Sequence, residues 1–210
     1  MLEYQIIPVT PFQQNCSLVW CTDTMEAAII DPGGELGKLA QIIADKGVKL
    51  TKVLLTHGHL DHVGAAKELS KLLDCELIGP HQADQFWLEQ LPEQAKMFGL
   101  PSIESFTPDR WLSEGETITL GQQQLQVLHC PGHTPGHVVF FAAQPQLAFV
   151  GDVLFYRSIG RTDFPQGNHA ELISSIKNKL FPLGDEVTFI PGHGPNSTFG
   201  NERLSNPFVR

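Results

Sequence analysis

The sequence predicts an α/β fold in which two sheets lie inside and helices cover their outer faces, a four-layer αββα sandwich. Three observations carry this. Strand-like runs are followed by helical patterns in each half of the chain, without any repeat of sequence. The runs are short, apolar and closed by turn residues. The 210 residues are 41% apolar and 18% charged, which suits a globular domain that buries its own core. Periodicity alone also fits other α/β arrangements. No linker or low-complexity tract divides the chain, so one domain spanning 1–210 is expected.

The first half opens with strands at Leu2–Val9, Asn15–Cys21 and Ala27–Ile30, closed by turn residues such as Pro11 and Asp31-Pro32-Gly33-Gly34. Leu36, Leu39, Ala40 and Ile43 share one helical face, and Gly47 stops that helix. Lys52–Thr56 reads as a buried strand that runs into a histidine-rich loop. Val63, Ala66, Leu69 and Leu73 mark a second helix, and Gln82–Phe98 a third that Pro92 must break or kink. In the second half Thr117–Leu120, Gln124–His129, His137–Ala142 and Leu147–Gly151 read as strands. A helix with Leu172, Ile173, Ile176 and Leu180 on one face leads to a last strand, Val187–Ile190.

Lysine and arginine total 14 against 23 acidic residues, a net charge of −9. Nucleic-acid affinity rests on a basic surface, so that class of partner is not expected. No run approaches the roughly 20 apolar residues of a membrane span. The start, Met1-Leu2-Glu3-Tyr4-Gln5, carries neither a basic nor an apolar leader segment. Cys16, Cys21, Cys75 and Cys130 form no CxxC pair, which fits reduced thiols in the cytoplasm.

The chemistry is concentrated in Thr56-His57-Gly58-His59-Leu60-Asp61-His62, directly after one apolar strand and before a helix. Imidazole and carboxylate donors at this density suit zinc and other divalent transition metals. More candidates stand at later strand ends: His133 in Cys130-Pro131-Gly132-His133-Thr134-Pro135-Gly136-His137, Asp152 after Leu147–Gly151, and His193 in Pro191-Gly192-His193-Gly194. Strand ends are where an α/β scaffold presents functional side chains. Cys130 reads as a packed thiol, and His81, His129 and His169 as surface or packing residues.

His57-x-His59-x-Asp61-His62 with His133, Asp152 and His193 resembles the signature of the metallo-β-lactamase superfamily. Within it the chain is similar to the glyoxalase II (hydroxyacylglutathione hydrolase) group, most of all its short bacterial members. That similarity runs from Gln14-Asn15-Cys16 and Asp31-Pro32-Gly33-Gly34 through Phe86-Trp87-Leu88 to Asn206-Pro207-Phe208. The resemblance implies the αββα fold and two divalent metal ions, zinc first, with iron or manganese compatible. His57, His59 and His133 would hold one, Asp61, His62 and His193 the other, and Asp152 would bridge them. Asp61 would also orient and deprotonate the attacking water. His137 would hydrogen-bond near the site. Asp31 either fixes a ligand tautomer or serves the Asp-Pro-Gly-Gly turn.

The implied substrate is a small glutathione thioester such as S-D-lactoylglutathione, cleaved without a covalent enzyme intermediate; no G-x-S-x-G elbow is present. Two departures bear on glutathione. The classical enzymes carry Gly-Lys-Phe-Tyr where this chain has Gly160-Arg161-Thr162-Asp163, so Arg161 takes the lysine position and Asp163 the tyrosine position. The chain also ends soon after His193, without the C-terminal helical domain of those enzymes. Gly160-Arg161-Thr162-Asp163-Phe164 resembles, in addition, the persulfide dioxygenases of the superfamily, which hold one Fe(II) with two His and one carboxylate. The hydrolase is favoured because the donor set for a second metal is complete.

Overall fold

The computed structural model describes residues 1–209. β1 (Leu2–Val9) and β2 (Gln14–Cys21) form an antiparallel pair, and β3 (Glu26–Ile30) adds antiparallel to β2. α1 (Leu36–Lys46) buries Leu39 and Ile43 and ends at Gly47, whose φ of 67° closes the last turn through a bond to Ala44 O. It crosses over to β4 (Lys49–Leu54), parallel to β3. α2 (Leu60–Val63) and α3 (Ala66–Leu73) lead to β5 (Glu76–Ile78), parallel to β4. A 3₁₀ turn at Gln82–Asp84 and helices α4 (Gln85–Glu89) and α5 (Leu91–Phe98) complete this half. Residues 99–116 form an irregular connection, with Ile103, Phe106 and Trp111 packed on the first half.

The second sheet has strand order β13-β12-β9-β8-β7-β6. Its strands are β6 (Thr117–Leu120), β7 (Gln123–His129), β8 (Val138–Ala142), β9 (Leu147–Gly151), β12 (Thr188–Pro191) and β13 (Ser197–Thr198). β10 (Leu154–Phe155) and β11 (Ser158–Ile159) make a separate small hairpin. α6 (His169–Ser175) continues into a wider turn over Ile176–Leu180 and crosses to β12, which is parallel to β9. α7 (Phe199–Ser205) is capped by Thr198, whose hydroxyl accepts from Asn201 N at 3.2 Å.

Three apolar clusters separate the four layers. Helices α1, α3, α4 and α5 pack on the first sheet around Leu18, Ile29, Leu39, Leu69 and Leu88. Val19, Ile30 and Leu54 of the first sheet meet Leu125, Phe140 and Phe149 of the second. Val139, Phe189 and Phe199 join Leu172, Ile176 and Leu180 on the far side. The αββα sandwich expected from the sequence is therefore the observed fold.

Two expected helices are divided. The one through Val63 is broken at Gly64-Ala65, because Ala65 N donates to Pro32 O at 2.9 Å instead of continuing the turn. The run Gln82–Phe98 is three pieces, and its break falls at Gln90 rather than at Pro92. Pro92 sits in the first turn of α5, where its missing N–H forfeits nothing. The C-terminal ends of β3, β4, β7, β9 and β12 open at one edge of the sandwich. There the sheets are tied together by Val138 N to Thr56 O at 2.8 Å and Asn15 N to Gly192 O at 2.7 Å.

Candidate metal centre

All seven donor residues singled out in the sequence meet at this edge. His57 and His59 leave β4, Asp61 and His62 sit on α2, and His133, Asp152 and His193 follow β7, β9 and β12. His57 Nε2 and His133 Nε2 each approach His59 Nδ1 to 3.0 Å. Asp61, His62 and His193 form a second set with donor atoms within 4.8 Å of one another. His193 Nε2 lies 3.1 Å from Asp61 Oδ2. Asp152 stands between the sets, its Oδ2 at 3.7 Å from His133 Nε2 and 3.8 Å from His193 Nε2.

The surroundings fix which nitrogen of each ring faces inward. The Arg161 carbonyl takes His133 Nδ1–H at 2.7 Å, and the Phe12 carbonyl takes His193 Nδ1–H at 3.2 Å. Asp31 Oδ2 takes His62 Nδ1–H at 2.9 Å. Thr56 spends its one hydroxyl proton on Asp31 at 2.6 Å, so His57 Nδ1, 3.0 Å away, must be the donor to Thr56. Four rings thus turn Nε2 toward the centre, as anchored metal ligands do. Asp31, His57 and His62 also lie close enough to form a third donor set. There, however, the rings present the Nδ1–H groups already given to Thr56 and Asp31, not free lone pairs.

Burial holds His57, His133 and His137 neutral, and His59 is lowered to about 3 by burial and the neighbouring imidazole of His133. Burial also opposes charge on His62, yet Asp152, Asp61 and Asp31 outweigh it and raise that imidazole well above its usual value. Asp152 is likewise buried, but His62, His133 and His193 hold it far below the carboxylate range. Neutral imidazoles in one set, Asp61 with two imidazoles in the other and Asp152 between them make a donor collection that fits divalent cations. His62 Nε2 and Asp152 Oδ1, both buried and 3.4 Å apart, have no hydrogen-bond partner, which fits donor atoms of a cation site.

The remaining expected residues are also placed. His137 Nε2 accepts Asp152 N–H at 3.0 Å, and its ring stacks on His57 at 4.7 Å. Asp31 sits in its turn with a φ of 53°, and its carboxylate accepts from His62 Nδ1, Thr56 Oγ1 and Thr56 N. Arg161 lies at the rim, 66% exposed, and forms a two-point ion pair with Asp163 at 2.7 and 2.9 Å. Its guanidinium covers the Phe164 ring at 4.4 Å, and Phe164 in turn packs on His59 at 5.0 Å. Cys130 is buried with its thiol pushed up to about 12, and it belongs to none of the donor sets.

Sequence reasoning missed Asn15. Its amide donates to Pro191 O at 3.0 Å and Gly194 O at 2.9 Å, so it fastens the His193 loop to the opposite sheet. A glycosylation-like Asn15-Cys16-Ser17 string gives no hint of that role, which needs the fold.

An αββα sandwich with His and Asp donors gathered at the sheet ends defines a metallohydrolase architecture. The metallo-β-lactamase superfamily model matches residues 9–193, and the chain belongs to that superfamily. Over 209 residues it is 53% identical to the hydroxyacylglutathione hydrolase GloC of Haemophilus influenzae, covering 99% of this chain and 98% of that protein. Among solved structures, the BLEG-1 B3 metallo-β-lactamase superposes with a TM-score of 0.91 at 34% identity, covering 99% of each chain. TTHA1623 in a di-iron-bound form follows with a TM-score of 0.89 at 38% identity, over 97% of this chain and 99% of the other.

Proposed function

We propose that the protein is a metal-dependent thioester hydrolase that cleaves S-D-lactoylglutathione or similar hydroxyacylglutathiones to glutathione and a hydroxy acid, in the detoxification of methylglyoxal. The observation that carries this is the paired donor arrangement, three converging imidazoles beside an Asp61–His62–His193 set with Asp152 between. Identity of 53% to a hydroxyacylglutathione hydrolase over nearly the whole chain supports the substrate class.

His57, His59 and His133 would hold one cation, Asp61, His62 and His193 a second, and Asp152 would span both. Zinc is proposed first; the di-iron state of a related structure keeps iron in view. Such ions supply a hydroxide at neutral pH and polarise a carbonyl oxygen. Asp61, 21% exposed and held ionised by His62 and His193 against the effect of burial, faces the mouth and would orient the water and take its proton. The leaving thiolate is stable, so no strong general acid is needed. At the rim, Arg161 would meet a glutathione carboxylate.

Among the described residues no helix is long and apolar enough to cross a membrane, and all four cysteines are free thiols. The free thiols suit a reducing compartment, and we place the protein in the cytoplasm, as a single catalytic domain spanning 1–210. A one-iron oxygenase needs only three facial ligands. The second donor set therefore supports the hydrolase over the persulfide dioxygenase.

The test is thiol release from S-D-lactoylglutathione by zinc-reconstituted protein. Brisk turnover is expected. No release from metal-loaded protein sinks the reading, and oxygen uptake with glutathione persulfide and Fe(II) would replace it.

A further inference from the structure

One buried carboxylate outside the donor sets touches both loops that carry the three converging imidazoles. Asp84 closes the 3₁₀ turn Gln82–Asp84 and is 0% exposed. Its Oδ2 accepts Gly58 N–H at 2.9 Å and the Thr134 hydroxyl at 2.8 Å, and its Oδ1 accepts Gly136 N–H at 2.5 Å. Gly58 is the residue between His57 and His59. Thr134 follows His133, and Gly136 precedes His137. One side chain therefore holds the loop after β4 of the first sheet against the loop after β7 of the second.

The packing leaves these loops no slack. A Cβ on Gly58 would stand 2.7 Å from Trp87 Cβ, and one on Gly136 would stand 2.5 Å from Asp84 N and 2.6 Å from His81 O. The turn is itself braced, since His81 N donates to Gly136 O at 3.1 Å and His81 Nδ1 accepts Ala83 N–H at 3.2 Å. Trp87, on the helix that follows, packs edge-on against His59 with ring centroids 4.4 Å apart.

A buried carboxylate is a costly way merely to join two loops, because taking its charge out of water is unfavourable. Burial raises the Asp84 carboxyl to about 6 even with three donors bound to it. What the carboxylate provides is geometry. Two oxygens serving three donors fix the distance between the His57–His59 backbone and the His133 backbone, and hence the 3.0 Å approaches of the three nitrogens.

We propose that Asp84 is a positioning residue for the His57–His59–His133 half of the centre, and that its clamp on the two loops sets how tightly that half holds a cation. The inference rests on the metal reading above.

The experiment titrates Co(II) into metal-free wild-type protein, Asp84→Asn and Thr134→Val, following the visible absorption of bound cobalt and the affinity of each equivalent. Thermal unfolding of the metal-free proteins runs alongside. In Asp84→Asn one equivalent is expected to weaken about tenfold or more with an altered spectrum, while the other keeps its affinity. Thr134→Val, which removes a single donor, is expected to weaken the same equivalent by less. Equal affinities and spectra in wild type and Asp84→Asn, with only a lowered Tm, would reduce Asp84 to a structural anchor and overturn the proposal. If Asp84→Asn does not fold, Thr134→Val decides by the same criterion. A wild-type protein that binds no cobalt overturns the metal reading, and this proposal with it.

Discussion

Asp31 Oδ2 lies 2.9 Å from His62 Nδ1, and the same carboxylate holds Thr56 through both its hydroxyl and its backbone N–H. One acid thus orients His62 directly and His57 through Thr56. Asn tolerates the positive φ at this turn but offers one acceptor oxygen instead of two. Asp31→Asn is therefore expected to fold and to lose metal affinity by about 10–100-fold. Metal content after dialysis against a graded chelator checks this, and wild-type retention would remove Asp31 from the site's support.

Asp152 approaches members of both donor sets. Asp152→Ala is expected to abolish thioester hydrolysis and to reduce the metal bound per chain. Elemental analysis beside a turnover assay reads both, and a variant that keeps its metal and its rate would sink the bridging assignment.

Arg161 and Asp163 are paired in open solvent, where an ion pair is easily given up to a better partner. Arg161→Ala is expected to raise KM for a glutathione thioester far more than it lowers kcat. Asp163→Asn, which frees the guanidinium, is expected to lower KM. Steady-state kinetics decides, and an unchanged KM in both variants would take Arg161 out of substrate binding.

Burial pushes the Cys130 thiol up to about 12, so almost no thiolate exists at ordinary pH. Iodoacetamide at pH 8 is expected to leave Cys130 unmodified in the folded protein and to label it after denaturation, read by peptide mass. Cys130→Ala is expected to retain its metal. Loss of metal in that variant would instead place the thiol at the centre.

The Asp84 carboxyl, raised to about 6 from 3.8 by burial, holds its proton more tightly folded than unfolded. Its contribution to stability is full below about pH 4 and is lost as pH rises through 6, by roughly 3 kcal/mol at full extent. Asp84→Asn carries no charge at any pH. The stability gap between metal-free wild type and this variant should therefore be widest at about pH 4 and below, and narrow by pH 7.5. A gap independent of pH in denaturant titrations would show that the carboxyl titrates as it does in water.

The seven candidate donors were legible in the sequence because their chemistry is local: His57, His59, Asp61 and His62 crowd one short stretch after β4, and His133, Asp152 and His193 each follow an apolar strand with glycine nearby. The four layers were legible because apolar periodicity is strong in elements such as α1 and β9. Asp84 was not, since in His81-Gln82-Ala83-Asp84-Gln85 it reads as a helix-surface acid. Its partners Gly58, Thr134 and Gly136 are 26, 50 and 52 residues away. β5 and the β10–β11 hairpin were missed because two or three residues carry no period. The break at Gly64-Ala65 escaped notice because the competing acceptor, Pro32 O, belongs to a distant turn; a break in Gln82–Phe98 was legible from Pro92, though it falls at Gln90.

The irregular connection at 99–116 divides the donors, with His57, His59, Asp61 and His62 before it and His133, Asp152 and His193 after it. Neither donor set is complete on one side of that connection. A nascent chain therefore has neither set of three donors until the loop after β7 has emerged with His133, and no second set until β12 and the His193 loop have docked beside Asn15. On the metal reading, the pair of cations is held only late in biogenesis, once both halves of the chain have docked at the open edge.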